Sequence, residues 1–320
     1  YVLQGTRLFD GLLAPDIVGT ASSYSLSIIP LYLLMAQFLL RGRVVEDLFQ
    51  VGYRLAGRRR FPLGAATIVS GGLLGAVSGS GAATAAALAT MASPQLEAVG
   101  YTRRFSIAMA AVAGSLSAII PPSIIMIIYG SLTLVPVGHL FIGALLPGLV
   151  CILVYVACIR ALGETGDAAR EGLADAGLSP RNVSAFVFVI LLMIVVFGGI
   201  YGGVVTAAEA GALGAGAALV GMLAMGRIGP KAIALSLVDS VKVTAMLMII
   251  VIGAQVFGRF LAFSRAPREL MAVMEPLIAS PEILVVVLLL AFFLFGLFLE
   301  SAAVMVLLIP IFMPALQAAG

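Results

Sequence analysis

Residues 71 to 94 read GGLLGAVSGSGAATAAALATMASP, and residues 113 to 123, beyond Arg103 and Arg104, read AGSLSAIIPPS. Both runs are apolar enough for lipid, yet they carry Ser78, Ser80, Ser115, Ser117 and Ser123 among glycines and the Pro121–Pro122 pair. A continuous helix tolerates this poorly, because proline removes a backbone donor and clashes with the preceding turn, while glycine costs about 1 kcal/mol relative to alanine. In lipid, backbone groups freed in this way persist only where they are buried in protein or line a cavity. The stretch therefore predicts broken helices with something polar bound at the breaks.

Lipid is the right solvent to assume. The chain is 62% hydrophobic and 10% charged, with mean hydropathy +1.18, whereas about a quarter of the residues of a soluble domain are charged. It reads as an all-α polytopic membrane protein, a single transmembrane domain over residues 1–320 with no polar segment long enough for a soluble domain. The net charge of +3 does not point to nucleic acid, because the placement of the arginines says more than their sum. Cys151 and Cys158 lie in one apolar run and read as core packing, with neither a disulfide framework nor a metal site nearby. Tyr1 stands where a starting methionine would, with no signal-peptide pattern after it, so the chain is expected to be a fragment.

Residues 1–20 read as a loop with an interfacial turn. A first span covers about 24–40, and an amphipathic stretch follows with Val44, Val45, Leu48, Phe49 and Leu55 on one face, suited to a helix lying in the interface. Residues 64–94 are awkward for a simple crossing, since Ser78 to Gly81 would put a break at full membrane depth. A re-entrant hairpin that enters and leaves on one side keeps Arg60 and Arg103 together and satisfies the positive-inside rule. Next come a span over 105–132 broken at Pro121 and Pro122, a return at 139–160, a polar connector from Gly163 to Arg181, and spans at about 184–204 and 207–226. The last of these, rich in Gly and Ala, suits close helix packing, and Arg227 and Lys231 end it. Residues 243–263 cross again, 267–278 form a second amphipathic segment, and 283–314 form an apolar stretch interrupted by Glu300 and Ser301. In this topology all 18 Lys and Arg residues except Arg7, Arg259, Arg265 and Arg268 fall on one face, which is then cytoplasmic.

The two halves align. MAQFLL at 35–40 resembles GAQVFGRFL at 253–261, and SPQLEAVG at 93–100 resembles MPALQAAG at 313–320, which sets Ser80 opposite Glu300 and Gly81 opposite Ser301. The reading is an inverted repeat: repeat 1 over about 24–160 with hairpin 64–94, and repeat 2 from about 243 with hairpin 283–314, incomplete at the C-terminus. Secondary transporters build their sites from such halves. Unwound carbonyls and hydroxyls hold a cation, and half-helix N-termini face an anion.

These residues also carry a family resemblance. VSGSGAATAAALATMASPQLEAVGYTRRFSIAMAAVAGSLSAIIPPSIIMIIYG, then FIGALLPGL, GGIYGGVVTAAEAGALGA and GLFLESAAVMVLLIPIFMP resemble the large membrane (M) subunit of tripartite ATP-independent periplasmic (TRAP) transporters over nearly the whole chain. The resemblance implies an elevator-type importer in the bacterial or archaeal inner membrane, coupled to Na+ and carrying organic anions such as C4-dicarboxylates or sialic acid. It implies two partners, a small four-helix membrane (Q) subunit and a periplasmic substrate-binding protein, and no nucleic acid. The chain departs from the family at Ser117 and Ala118, where Gly-Pro is usual, at Ile125, at Ala207 and Ala208, and at Glu300, where Asp is usual. A second broken helix should follow Gly320, and one initial span is missing.

The Na+ candidates are Ser78, Gly79, Ser80, Gly114, Ser115, Ser117, Glu300 and Ser301. Those for the substrate are Ser80, Gly81, Pro121, Pro122 and Ser123. Plainer readings stand beside them: Gly71, Gly75 and Gly79, four apart, could simply let helices pack closely. Glu300 could serve in a structural hydrogen bond across the hairpin tip, Glu209 as a scaffold or subunit contact, and His139 as a surface residue. An enzyme would need a nucleophile with a base, or a metal-ligand cluster, and one His, two apolar cysteines and isolated acids supply neither. A channel would need polar rings along a pore. A divalent-anion/Na+ symporter that works without a binding protein shares the hairpin plan but does not explain the GGIY and LLPG motifs.

Overall fold

The computed structural model describes residues 17–19, 22–57, 59–78, 81–162, 179–263 and 281–319. Gly79, Ser80, most of the 163–181 connector and the amphipathic segment 267–278 lie outside the described residues. No β-strand occurs among the residues described, and the chain is an all-α polytopic membrane protein.

A larger unit comprises residues 28–126 and 137–241, and a smaller one residues 1–27, 127–136 and 242–320. The larger unit begins with α1 (Ile28–Arg41) and α2 (Val44–Ala56), bent by 65° at Gly42 and Arg43. Val44, Val45, Leu48 and Phe49 are buried on α2 as the amphipathic pattern requires. Leu55 is not: it is 75% exposed, while the charged Asp47 is buried. The reason is Arg227. Its guanidinium pairs with Asp47 and donates to the carbonyls of Gly42 at 3.0 Å and Arg181 at 2.7 Å, so the carboxylate is buried with a partner.

Next come α3 (Arg60–Ser78), α4 (Gly81–Met91), the short α5 (Ser93–Ala98) and α6 (Arg103–Ser115). The Thr102 hydroxyl caps α6 by accepting from the Phe105 N–H at 3.3 Å. α3 and α4 pack on each other and both pack on α6. At the other end of the pair, Arg60 Nε donates to the Val99 carbonyl at 2.6 Å, and its guanidinium lies against Gly100, whose φ is +93°. Burial pushes the Tyr101 phenol up, opposed by the positive charge of Arg60. Below α6 the chain tightens into a 3-10 turn (Leu116–Ala118), loosens through a cis Pro121–Pro122 bond, and resumes as α7 (Ile124–Thr133).

α8 (Val137–Leu162), α9 (Pro180–Tyr201), α10 (Ala207–Ala224) and α11 (Pro230–Gly258 of Pro230–Phe263) are each long and apolar enough to span a membrane, and the bent pair α1–α2 counts as a fifth if taken together. Outward residues such as Leu146, Leu153 and Ile194 are exposed, as lipid-facing positions would be. Cys158 shares that exposure and is not core packing, while Cys151 is half-buried. α10 bears out the small-residue reading: a Cβ on Gly211 would lie 3.0 Å from the Tyr32 ring and one on Gly214 2.6 Å from Met35 Sδ, both on α1. Glu209 completes a capping box with Thr206 at the start of α10, a local role the sequence reading did not give it.

α11 begins thirteen residues before the expected span at 243. Asp239 falls in the interval left between the spans ending at 226 and starting at 243, and it pairs with Arg41 on α1 from within the helix. In the smaller unit, α12 (Pro281–Gly296) and α13 (Ser301–Ala319) pack on each other across a break at 297–300, where the hairpin reading placed one.

Candidate functional site

α3 and α4 meet at a break because Ser78 ends one helix and Gly81 opens the other. The side chain of Ser78 is not described. Gly81 is the first residue of an eleven-residue helix, and its end of α4 carries N–H groups without intrahelical acceptors and the positive end of the helix dipole.

α6 passes close to this break because its partners are glycines. A Cβ built on Gly71 of α3 would lie 2.7 Å from the Ala113 carbonyl oxygen, and one on Gly75 would lie 2.5 Å from Ser117 Cα. On the other side, a Cβ on Gly114 would lie 2.8 Å from Ala85 Cα on α4. The close-packing reading of Gly71 and Gly75 therefore holds, and it has a consequence for Ser117.

Ser117 is 1% exposed, and its hydroxyl has no hydrogen-bond partner among the described residues. That is costly for a buried hydroxyl, on the order of 1–3 kcal/mol. A Cβ on Gly81 would lie 3.1 Å from Ser117 Oγ and 3.4 Å from the Gly114 carbonyl oxygen, so a hydroxyl and a carbonyl converge on the N-terminus of α4. Hard oxygen donors of this kind suit a small cation, and the adjacent helix end suits a carboxylate. Among the described residues no three His, Cys, Asp or Glu side chains gather into a metal site.

The double proline adds carbonyls. Residues 121 and 122 lack N–H groups, so the carbonyls of Ser117 and Ala118 lose the donor four residues on. Ser123 replaces one of them: its hydroxyl donates to the Ala118 carbonyl at 2.8 Å. Pro121, Pro122 and Ser123 are all buried. Ser115 faces elsewhere, exposed, its hydroxyl donating to the Val112 carbonyl at 2.7 Å and lying 3.3 Å from the Tyr155 hydroxyl. Sequence alone did not single out Tyr155, which has no motif around it.

In the smaller unit, Glu300 is the residue immediately before α13. Its carbonyl accepts from the Val304 N–H at 3.1 Å, and its carboxylate accepts from the Ala302 N–H at 2.9 Å, so it caps the helix. Glu300 and Ser301 are both exposed. The hydrogen bond that Glu300 makes is structural, but it runs to its own helix and not across the hairpin tip as expected. A carboxylate at a helix N-terminus also meets the favourable end of the dipole, which eases an acid in an apolar hairpin.

Comparison with known proteins follows the same lines. The family profile described as "Tripartite ATP-independent periplasmic transporter, DctM component" matches residues 1–320. A TRAP transporter large permease protein of Haemophilus influenzae is 30% identical over 315 residues, covering 97% of this chain and 73% of that relative. The C4-dicarboxylate TRAP transporter large permease protein DctM of Pseudomonas aeruginosa is 31% identical over 312 residues, covering 96% and 72%. An ectoine/5-hydroxyectoine TRAP transporter large permease protein of Ruegeria pomeroyi is 28% identical over 301 residues, covering 92% and 69%.

Proposed function

Because the chain belongs to the large-permease (DctM) family of tripartite ATP-independent periplasmic transporters, we propose that it is the permease of a Na+-coupled importer of organic anions. Its relatives are permeases, and it is a transporter component rather than an enzyme. The substrate class is C4-dicarboxylates or sialic-acid-like carboxylates, since a C4-dicarboxylate permease is among its relatives. The partners are a small membrane subunit and a periplasmic binding protein that delivers the anion, and the location is the inner membrane.

One observation supports Na+ coupling: the buried, unpartnered Ser117 hydroxyl beside the Gly114 carbonyl, at a helix broken where the sequence places two prolines. Na+ takes the hydroxyl and carbonyl oxygens there, and the α4 N-terminus faces a substrate carboxylate. Ser80, next to Gly81 in the chain, belongs to the same set by its residue type, and Glu300 and Ser301 are the counterparts on the second hairpin. Transport proceeds by an elevator motion of the hairpins and broken helix.

The test is uptake of radiolabelled succinate into proteoliposomes holding the intact transporter, with and without its binding protein. Uptake should require an inward Na+ gradient and the binding protein, and Ser117→Ala should weaken the Na+ dependence. Equal uptake in choline chloride and sodium chloride would sink the proposal.

A further inference from the structure

We propose that Gly75 is a positioning residue for ion coupling and acts through Ser117. This rests on the reading of Ser117 as a cation ligand and names the residue that fixes where its hydroxyl sits.

Gly75 lies on α3 directly against the 3-10 turn. A Cβ there would come 2.5 Å from Ser117 Cα, 2.6 Å from Ser117 Cβ and 2.8 Å from Ser117 N. Two of those atoms are backbone, and they cannot swing aside as a side-chain tip would. The opposite direction is also occupied, since Ser117 Oγ would be 3.1 Å from a Cβ on Gly81. Ser117 is therefore held between two helices at positions where each lacks a side chain. No hydrogen bond from the described residues orients the buried hydroxyl, so its placement depends on these two faces.

The neighbouring glycines of α3 contact other residues. A Cβ on Gly72 would meet the tip of Ile120, Cδ1, at 2.6 Å, and Ile120 can change rotamer. One on Gly71 would meet Ala113, one turn earlier on α6. Of the three, Gly75 is the one whose nearest neighbours are the atoms of Ser117. An added methyl there displaces the turn that carries the hydroxyl, whereas one at Gly72 moves a side-chain end.

Na+-dependent thermal stabilisation of the intact purified transporter tests this, because an ion that binds the folded state alone raises its stability with concentration. The titration uses NaCl against choline chloride, with Na+ itself as the probe. Gly75→Ala should raise the half-effective Na+ concentration by about tenfold, within the range of coupling between residues in contact. Gly81→Ala, whose methyl would lie nearest the hydroxyl itself, should shift it in the same direction, and this variant carries the test if Gly75→Ala fails to fold. Gly72→Ala should leave it unchanged. Gly75→Ala combined with Ser117→Ala should be no weaker than Ser117→Ala alone, as residues acting through one another are not additive.

A wild-type Na+ midpoint in folded Gly75→Ala, or a multiplied effect in the double variant, overturns the proposal while leaving the Ser117 reading intact. An unchanged midpoint in Ser117→Ala overturns that reading, and the role of Gly75 goes with it.

Discussion

The Ser123 hydroxyl donates to the Ala118 carbonyl at 2.8 Å, taking the place of the N–H that Pro122 does not have. This bond separates serines that look equivalent in sequence. Ser123→Ala should leave a buried carbonyl without its donor and cost about 1–3 kcal/mol. The thermal midpoint of Ser123→Ala should fall, and the Na+ concentration giving half-maximal stabilisation should stay at the wild-type value.

Ser115→Ala should be milder still. Its hydroxyl is exposed and bonded back to α6 and to Tyr155, so its loss should change stability by no more than about 1 kcal/mol. Na+ titrations of Ser115→Ala and Ser117→Ala side by side should differ, with only the second displaced. Matching displacement would move the ligand set towards the α6–α8 contact.

Arg227 ties three chain segments through Asp47 and the carbonyls of Gly42 and Arg181, with its side chain 4% exposed. Arg227→Ala should strand the buried Asp47 carboxylate and cost about 3–5 kcal/mol. Arg227→Lys should recover only part of this, because an ammonium group lacks the planar fork that reaches several acceptors. Thermal unfolding of the two variants checks both the size and the order.

Gly100→Ala brings together two independent strains. The residue holds a φ of +93°, where a side chain costs on the order of 1–2 kcal/mol, and its methyl would meet the Arg60 guanidinium that binds Val99. Combining it with Arg60→Ala should cost less than the sum of the two single changes. Strict additivity in a double-mutant cycle would mean that the arginine is not in the way.

Glu300 is both a cap and an acid, and two substitutions separate the roles. Glu300→Gln keeps an oxygen for the Ala302 N–H and removes the charge, while Glu300→Ala loses the cap, worth about 1 kcal/mol. If the charge serves coupling, Glu300→Gln should change the Na+ dependence of uptake without a comparable loss of stability. A wild-type Na+ dependence in Glu300→Gln leaves the cap as its whole role.

Much of the fold was legible because lipid makes hydropathy and breaks explicit. α8, α9 and α10 appear close to where the apolar runs put them, and the breaks at 119–123 and 297–300 follow from prolines, glycines and a polar pair. What stayed hidden was long-range pairing. Asp239 lies in the interval between two spans until Arg41 supplies it with a partner, and the charge of Asp47 does not read as buried until Arg227 covers it. Within the site, glycine spacing showed that helices approach closely but not which atom they press on. Ser115, Ser117 and Ser123 are alike in type and differ only in what surrounds them.

The Arg227 contact also dates the assembly of the protein. Arg227 follows Asp47 by 180 residues, which at synthesis rates of ~5–20 residues per second means a wait of roughly 10 to 40 s. Throughout that interval the Asp47 carboxylate lacks the cation that later accompanies it into the interior, and water at the membrane surface is the best available solvent for it. The bend between α1 and α2 is therefore sealed late in biogenesis, after α9 and α10 have been made.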